Sequence, residues 1–329
     1  MDRARRVGYT AVLCAALLRL FAAGIPQKLY VQQIQPNIAS FFQEQETGQD
    51  VRFSSSIDTF TPDFMESPPP SLPQVTQVPL PTFSGQENVD LYYGVKKQPD
   101  IAALLAKPLN WDLTGDTPKV LILHTHTTES YTRQGEDYRE SASWRTLDER
   151  FNMVSVGDLV GQLLEAKGIP VLHHRELNDY PSYNGSYTRA RKTLKGYLKE
   201  HPEICLVLDL HRDALEGTSG QLRTKARVDG ESSAQLMLVM GTDAAGLSHG
   251  GWEENLSLAL KLQLQLERSA PGITRPISLR SQRFNQDLSP GALLVEVGAA
   301  GNTHAEALTA AQVLARAIVS LAGGTQSNA

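Results

Sequence analysis

Four apolar residues, Val120 to Leu123, run straight into His124-Thr-His126-Thr-Thr-Glu129, and the transition recurs twice downstream. The mainly apolar run Ile204 to Leu210 ends at His211, and Ala292 to Val297 carries Glu296 near its end. Short apolar runs closed by polar residues are the pattern of buried strands, so three strand ends are predicted to face one cleft. A further strand is predicted at Ile169 to His173. Met153, Val156, Leu159, Val160, Leu163 and Leu164 recur at helical spacing up to Gly168, a stop signal. Helices are also predicted over Ile101 to Ala106, Tyr187 to Glu200 and Trp252 to Arg268. The final helix opens with Thr303 and Glu306 as a capping box and runs to about Leu321. Thr224 to Val228 and Gln235 to Met240 flank the turn signal Asp229-Gly230 and read as a hairpin or a strand pair. Strands alternating with helices predict an α/β domain with a mostly parallel sheet flanked by helices, whose sites gather at strand carboxyl ends. Thr127 to Leu147 has no sustained period and reads as a loop lining such a site.

The amino-terminal third differs in composition. Arg3, Arg5 and Arg6 precede the apolar run Val7 to Ile25, whose one charged residue is Arg19. Residues 1–26 therefore predict a membrane anchor, just long enough to span, with the basic end inside and the remainder of the chain outside. A cleaved signal peptide competes, because Ala22-Ala23-Gly24 supplies small residues. Residues 27–89 read as a juxtamembrane segment followed by a spacer, since seven prolines fall between Pro62 and Pro81 and favour extended chain. The folded domain is expected over 90–323, with 324–329 as a tail. Net charge is −5, which leaves no basic surface for nucleic acid. Cys14 lies in the anchor and Cys205 in a strand, so no disulfide framework is expected.

A hydrolase-type metal site takes about three protein ligands and leaves one position for water. His126, His211 and a carboxylate supply that inventory. Arg212 could serve an oxyanion or a peptide carboxylate, or equally form a salt bridge with Asp209 or Asp213. His173 and His174 read as surface residues rather than ligands. His249, in the Gly246 to Gly251 loop, either borders the cleft or packs locally. Tyr131, Tyr138 and Trp144 either stack on sugar rings or pack within their loop.

Residues 124–131 (His-Thr-His-Thr-Thr-Glu-Ser-Tyr), Asn152 to Asp158, Asp209 to Ala214, and Leu294 to Gly298 with Gly301-Asn302-Thr303 resemble, in order, the motifs of the stage II sporulation protein P family. The resemblance extends over anchor, spacer and domain. It implies a membrane-anchored peptidoglycan hydrolase of engulfing endospore-formers, with a catalytic domain similar to zinc-dependent N-acetylmuramoyl-L-alanine amidases and an endopeptidase activity credited to the family. It further implies Zn2+, peptidoglycan as substrate, the cell membrane as location, and sporulation proteins D and M as partners. Carried over by motif, His126 and His211 become metal ligands, Glu296 the catalytic base, and His124 a residue behind the ligands. The third ligand falls on Asp148, four residues before Asn152, where the amidases have Glu; Glu129 competes for the role. A non-catalytic scaffold linking membrane to wall is the alternative, against which Glu296 speaks, since a binder needs no general base.

Overall fold

The computed structural model describes residues 91–93, 98–109, 111–132, 144–217 and 220–326. The expected anchor, juxtamembrane segment and proline-rich spacer, together with Tyr138, lie outside the described residues.

Strands β1 (Leu91–Tyr93), β2 (Val120–Leu123), β3 (Val171–His173), β4 (Leu206–Asp213), β9 (Leu236–Gly241), β10 (Ile277–Arg280) and β11 (Ala292–Ala299) form one seven-stranded sheet in the order β1-β10-β9-β11-β4-β2-β3. Every neighbouring pair is parallel except β9 with β11. The sheet is thus mostly parallel, in two blocks that run in opposite directions, and β2, β3, β4 and β11 share one direction. Two small hairpins interrupt the path from β4 to β9: β5 (Glu216–Gly217) with β6 (Gly220–Gln221), and β7 (Ala226–Val228) with β8 (Glu231–Ser233). The Asp229-Gly230 turn forms as expected, with positive φ at both residues (51° and 86°), as a two-residue hairpin requires. Its second strand is Glu231–Ser233, however, not Gln235 to Met240, which enters the main sheet as β9.

Helices α1 (Ile101–Ala106), α2 (Met153–Glu165), α3 (Ser186–Glu200), α4 (Trp252–Ser269) and α5 (His304–Gln326) follow the predicted apolar periods. Asn152 caps α2, its side chain accepting from Val154 N at 3.0 Å. Alternation along β2 divides the core. Leu121 and Leu123 pack with Ala190 and Leu194 of α3 and with Val207, whereas Ile122 turns the other way, under Gly161 of α2. Helix α5 is long and apolar enough over His304–Gly323 to cross a membrane, but 78% of that stretch is buried in the fold, as befits a core helix. It runs past Gly323 to Gln326, three residues into the expected tail.

The Thr303 and Glu306 capping box forms: Thr303 N donates to Glu306 Oε2 (3.1 Å) and Glu306 N to Thr303 Oγ1 (3.3 Å). The same carboxylate accepts from Arg223 Nε (2.8 Å), Ser232 Oγ (2.6 Å) and Asn302 Nδ2 (2.9 Å), tying α5 to the β7–β8 hairpin. Burial alone would raise its pKa, but these donors, Arg223 foremost, hold it at about 2 against an ordinary 4.5. A depressed carboxylate stabilises the fold above its unfolded pKa, and that contribution is lost as pH falls from 4.5 through about 2. Glu306→Gln is expected to cost about 2 kcal/mol at neutral pH, discounted for the exposure of Arg223. In urea titrations the difference from wild type should vanish near the acid end of that window; a pH-independent difference would contradict the assignment.

Candidate active site

Where β2 ends, the chain leaves the sheet through three buried residues, His124, Thr125 and His126. Alternation carries His124 to the α2 side. Its Nδ1 donates to the Leu210 carbonyl (3.0 Å), and its Nε2 lies 2.8 Å from Nε2 of His173, whose Nδ1 meets Asp158 Oδ1 at 2.9 Å. Burial first, then His173, pushes the His124 pKa down to about 3, so the ring is neutral. Gly157 makes room for this chain, because a Cβ there would stand 2.6 Å from His173 Nε2 and 2.8 Å from His124 Nε2. His124 thus sits behind the strand end. His173 and His174, expected at the surface, are largely enclosed, since the loop after β3 folds back over β2.

His126 turns to the other side. Its ring stacks on Tyr183 (centroids 4.6 Å apart, 12° between planes) and stands edge-on to Tyr187 (5.6 Å) and His211 (5.3 Å, 89°). His211 comes from β4, and the β4–β11 register places Glu296 directly beside it. Glu129, on the loop after β2, brings Oε2 to 3.4 Å from His211 Nδ1 and accepts from Arg212 N at 3.2 Å. On the far side of the ring, Nε2 lies 3.0 Å from Asp209 Oδ1, at an angle that makes no hydrogen bond. Asp209 is occupied by Thr125, through its N (2.8 Å) and Oγ1 (2.6 Å). The three predicted strand ends therefore meet, bringing His126, His211, Glu129 and Glu296 together.

The electrostatics separate the two glutamates. Burial opposes charge on both. At Glu129 it is outweighed by the His211 hydrogen bond and the Arg212 guanidinium, which hold the carboxyl below its usual range. At Glu296 burial prevails, and the neighbouring Glu129 and Asp213 charges add to it, so the carboxyl is pushed up despite His211 and Arg275. Burial also disfavours the charged form of His211, but Asp209 and Glu129 outweigh it and raise its pKa.

Asp148 is placed differently. Its carboxylate accepts from Arg150 Nε (2.9 Å) and Nη2 (2.6 Å) at the rim. Arg212 forms neither expected ion pair: alternation puts it on the opposite face of β4 from Asp209 and Asp213. It donates from Nε to Ser130 O (3.1 Å) and from Nη2 to Trp144 O (2.9 Å), holding the site loop in place. Asp213 pairs with Arg275 instead (2.8 Å). Tyr131 is buried, with its hydroxyl on the Val297 carbonyl (2.8 Å), and Trp144 Nε1 bonds Thr132 Oγ1 (3.2 Å), so both are parts of the loop's own packing. His249 is buried and packs locally, in the fields of Asp287, Arg283 and Asp243.

Among the described residues no three His, Cys, Asp or Glu side chains already stand as a metal-holding group. The donor chemistry nonetheless fits one. His126 Nδ1, His211 Nε2 and Glu296 Oε2 are buried polar atoms without hydrogen-bond partners, a costly state that a ligand would relieve. The third protein donor at hand is Glu129, which would have to turn from His211 and Arg212.

The stage II sporulation protein P (SpoIIP) family matches residues 58–319. The chain belongs to that family. Stage II sporulation protein P of Bacillus subtilis (strain 168) is 31% identical over 219 residues, covering 61% of this chain and 50% of that relative, so the chain spans about half the relative's length. Solved structures with distant likeness include the N-acetylmuramoyl-L-alanine amidase AmiC2 of Nostoc punctiforme (13% identity, 63% of this chain and 97% of that one, TM-score 0.38). Others are the amidase Ami1 from Mycobacterium smegmatis (15%, 66% and 100%, 0.40) and the CwlD amidase from Clostridioides difficile in complex with the GerS lipoprotein (13%, 64% and 97%, 0.36). Likeness this distant carries no argument about the site.

Three neighbours of the SpoIIP-family centre escape a reading of the sequence. Asp209 was legible in principle, because Asp209 and His211 alternate on one face of a strand. Tyr183 and Tyr187 straddle the start of α3, and nothing in the spacing says which way that helix points.

Proposed function

We propose that this SpoIIP-family chain is a membrane-tethered, metal-dependent peptidoglycan hydrolase of the N-acetylmuramoyl-L-alanine amidase type, acting on septal wall during engulfment. Residues 1–26 would anchor it and the spacer would carry the domain outward, where sporulation proteins D and M would be its partners. The observation that carries the reading is the meeting of His126, His211 and Glu296 at three strand ends, each with a buried polar atom lacking a hydrogen-bond partner. His126 and His211 would hold a zinc ion, with Glu129 rather than Asp148 as third ligand, because Glu129 already touches His211. A zinc ion, when bound, would activate water near neutral pH and polarise the amide carbonyl. Glu296 would accept the water's proton and pass it to the leaving amine. Its raised proton affinity suits both halves of that exchange. The same residues could serve an endopeptidase step. The scaffold alternative leaves unexplained why a carboxyl with one buried, unpartnered oxygen sits on a core strand, at a cost of about 1–3 kcal/mol.

The ligand assignment is tested by zinc content after dialysis. Glu129→Ala should lose zinc affinity by at least tenfold, whereas Asp148→Ala should keep its zinc and lose only the local tie to Arg150. The reverse order would restore Asp148 as the ligand, and equal occupancy in both variants would remove both.

A further inference from the structure

Tyr187 stands in the first turn of α3 with its ring against both histidines, edge-on to His126 and nearly parallel to His211 (6.4 Å, 15°). Phe284 packs against the same ring (5.9 Å), and Asn285 Nδ2 donates to the Tyr187 carbonyl (2.9 Å). Ring and backbone are therefore both fixed. The residue is half-buried, and its hydroxyl has no hydrogen-bond partner among the described residues, nor is it sealed from solvent. The ring borders the place where His126 and His211 meet, with Glu296 beside His211 on the neighbouring strand.

We propose that the Tyr187 hydroxyl is a catalytic hydrogen-bond donor to the carbonyl oxygen of the amide being cleaved, an inference that rests on the hydrolase reading above. As water attacks the carbonyl carbon, a C–O bond forms and the C=O π pair moves onto that oxygen, while Glu296 takes the water's proton. The developing oxyanion needs a fixed donor that does not itself lose its proton. A phenol meets this requirement, because its ordinary pKa of about 10 leaves it protonated at neutral pH. When the C–N bond breaks, the pair returns to the carbonyl and the Glu296 proton goes to nitrogen. Tyr187 keeps its proton throughout.

Tyr187→Phe retains the ring stack and removes only the donor. In the full-length, zinc-loaded protein acting on purified peptidoglycan, kcat should fall about 100-fold with KM within about twofold, the behaviour of an interaction made in the transition state. Zinc content and Tm should match wild type. A phosphinate isostere of the muramoyl–alanine amide, a tetrahedral oxyanion mimic, should bind more weakly by a similar factor. A kcat within about threefold of wild type, or a change confined to KM, overturns the inference and leaves the amidase reading standing. A wild type that releases no stem peptide overturns the amidase reading itself, and equal phosphinate affinity in the two proteins overturns the role of Tyr187 independently of turnover.

Discussion

Glu296→Gln is expected to keep its zinc and its fold and to lose about 10²–10⁴-fold in turnover. The two side chains share shape, so β11 retains its register beside His211. The amide has no proton affinity to offer the attacking water and none to return to the amine. Removing a carboxyl whose Oε2 is buried without a partner should leave thermal stability equal to or above that of wild type. His211→Ala separates the roles, because it should lose zinc and activity together. Wild-type-like digestion by Glu296→Gln would sink the mechanism, and loss of zinc in that variant would recast Glu296 as a ligand.

Gly291→Ala carries the largest expected effect on the fold. A Cβ at this position would stand 1.9 Å from the Cys205 carbonyl oxygen and 2.9 Å from its carbon. Both atoms are backbone at the entry to β4, where Val207 N donates to Gly291 O at 3.0 Å. No side chain can swing aside, so β11 and β4 would have to part at the pairing that sets Glu296 against His211. A loss of about 3 kcal/mol is expected in urea denaturation. Gly168→Ala is the informative comparison, since no atom lies within 4 Å of its Cβ position and only its φ of 78° opposes the change. That variant should lose about 1 kcal/mol. A Gly291→Ala protein as stable as wild type would mean that the β4–β11 pairing is looser than described.

The site's frame was legible because its three strands are apolar runs that stop abruptly at polar residues, and the helices because their apolar residues recur at helical spacing. The strands β1 and β10 lack that signature: Leu91–Tyr93 runs into Gly94 with no polar stop, and Ile277–Arg280 is broken by Ser278. The true partner of the Asp229-Gly230 turn, Glu231–Ser233, carries no apolar residue at all, so the more apolar Gln235 to Met240 drew the assignment instead. Within the site, His126, His211 and Glu296 could be picked out from their places at strand ends. Glu129 and Asp148 could not be ranked, because both lie on irregular chain whose path depends on Arg212 and Arg150. Of the two readings open to the loop aromatics, packing within the loop holds for Tyr131 and Trp144. Tyr131 and Trp144 lie nearer the motif in sequence, yet tertiary packing consumes them, and it is Tyr183 and Tyr187, some 60 residues from the first histidine, that line the cleft.

The most direct test of the amidase reading is mass spectrometry of the products released from purified peptidoglycan by the full-length, zinc-loaded protein. The account predicts free stem peptides beginning with an L-alanine amine and glycan strands left intact with bare lactyl carboxylates, neither appearing with Glu296→Gln. Glycan fragments still bearing their stem peptides, or the same products from Glu296→Gln, would contradict it.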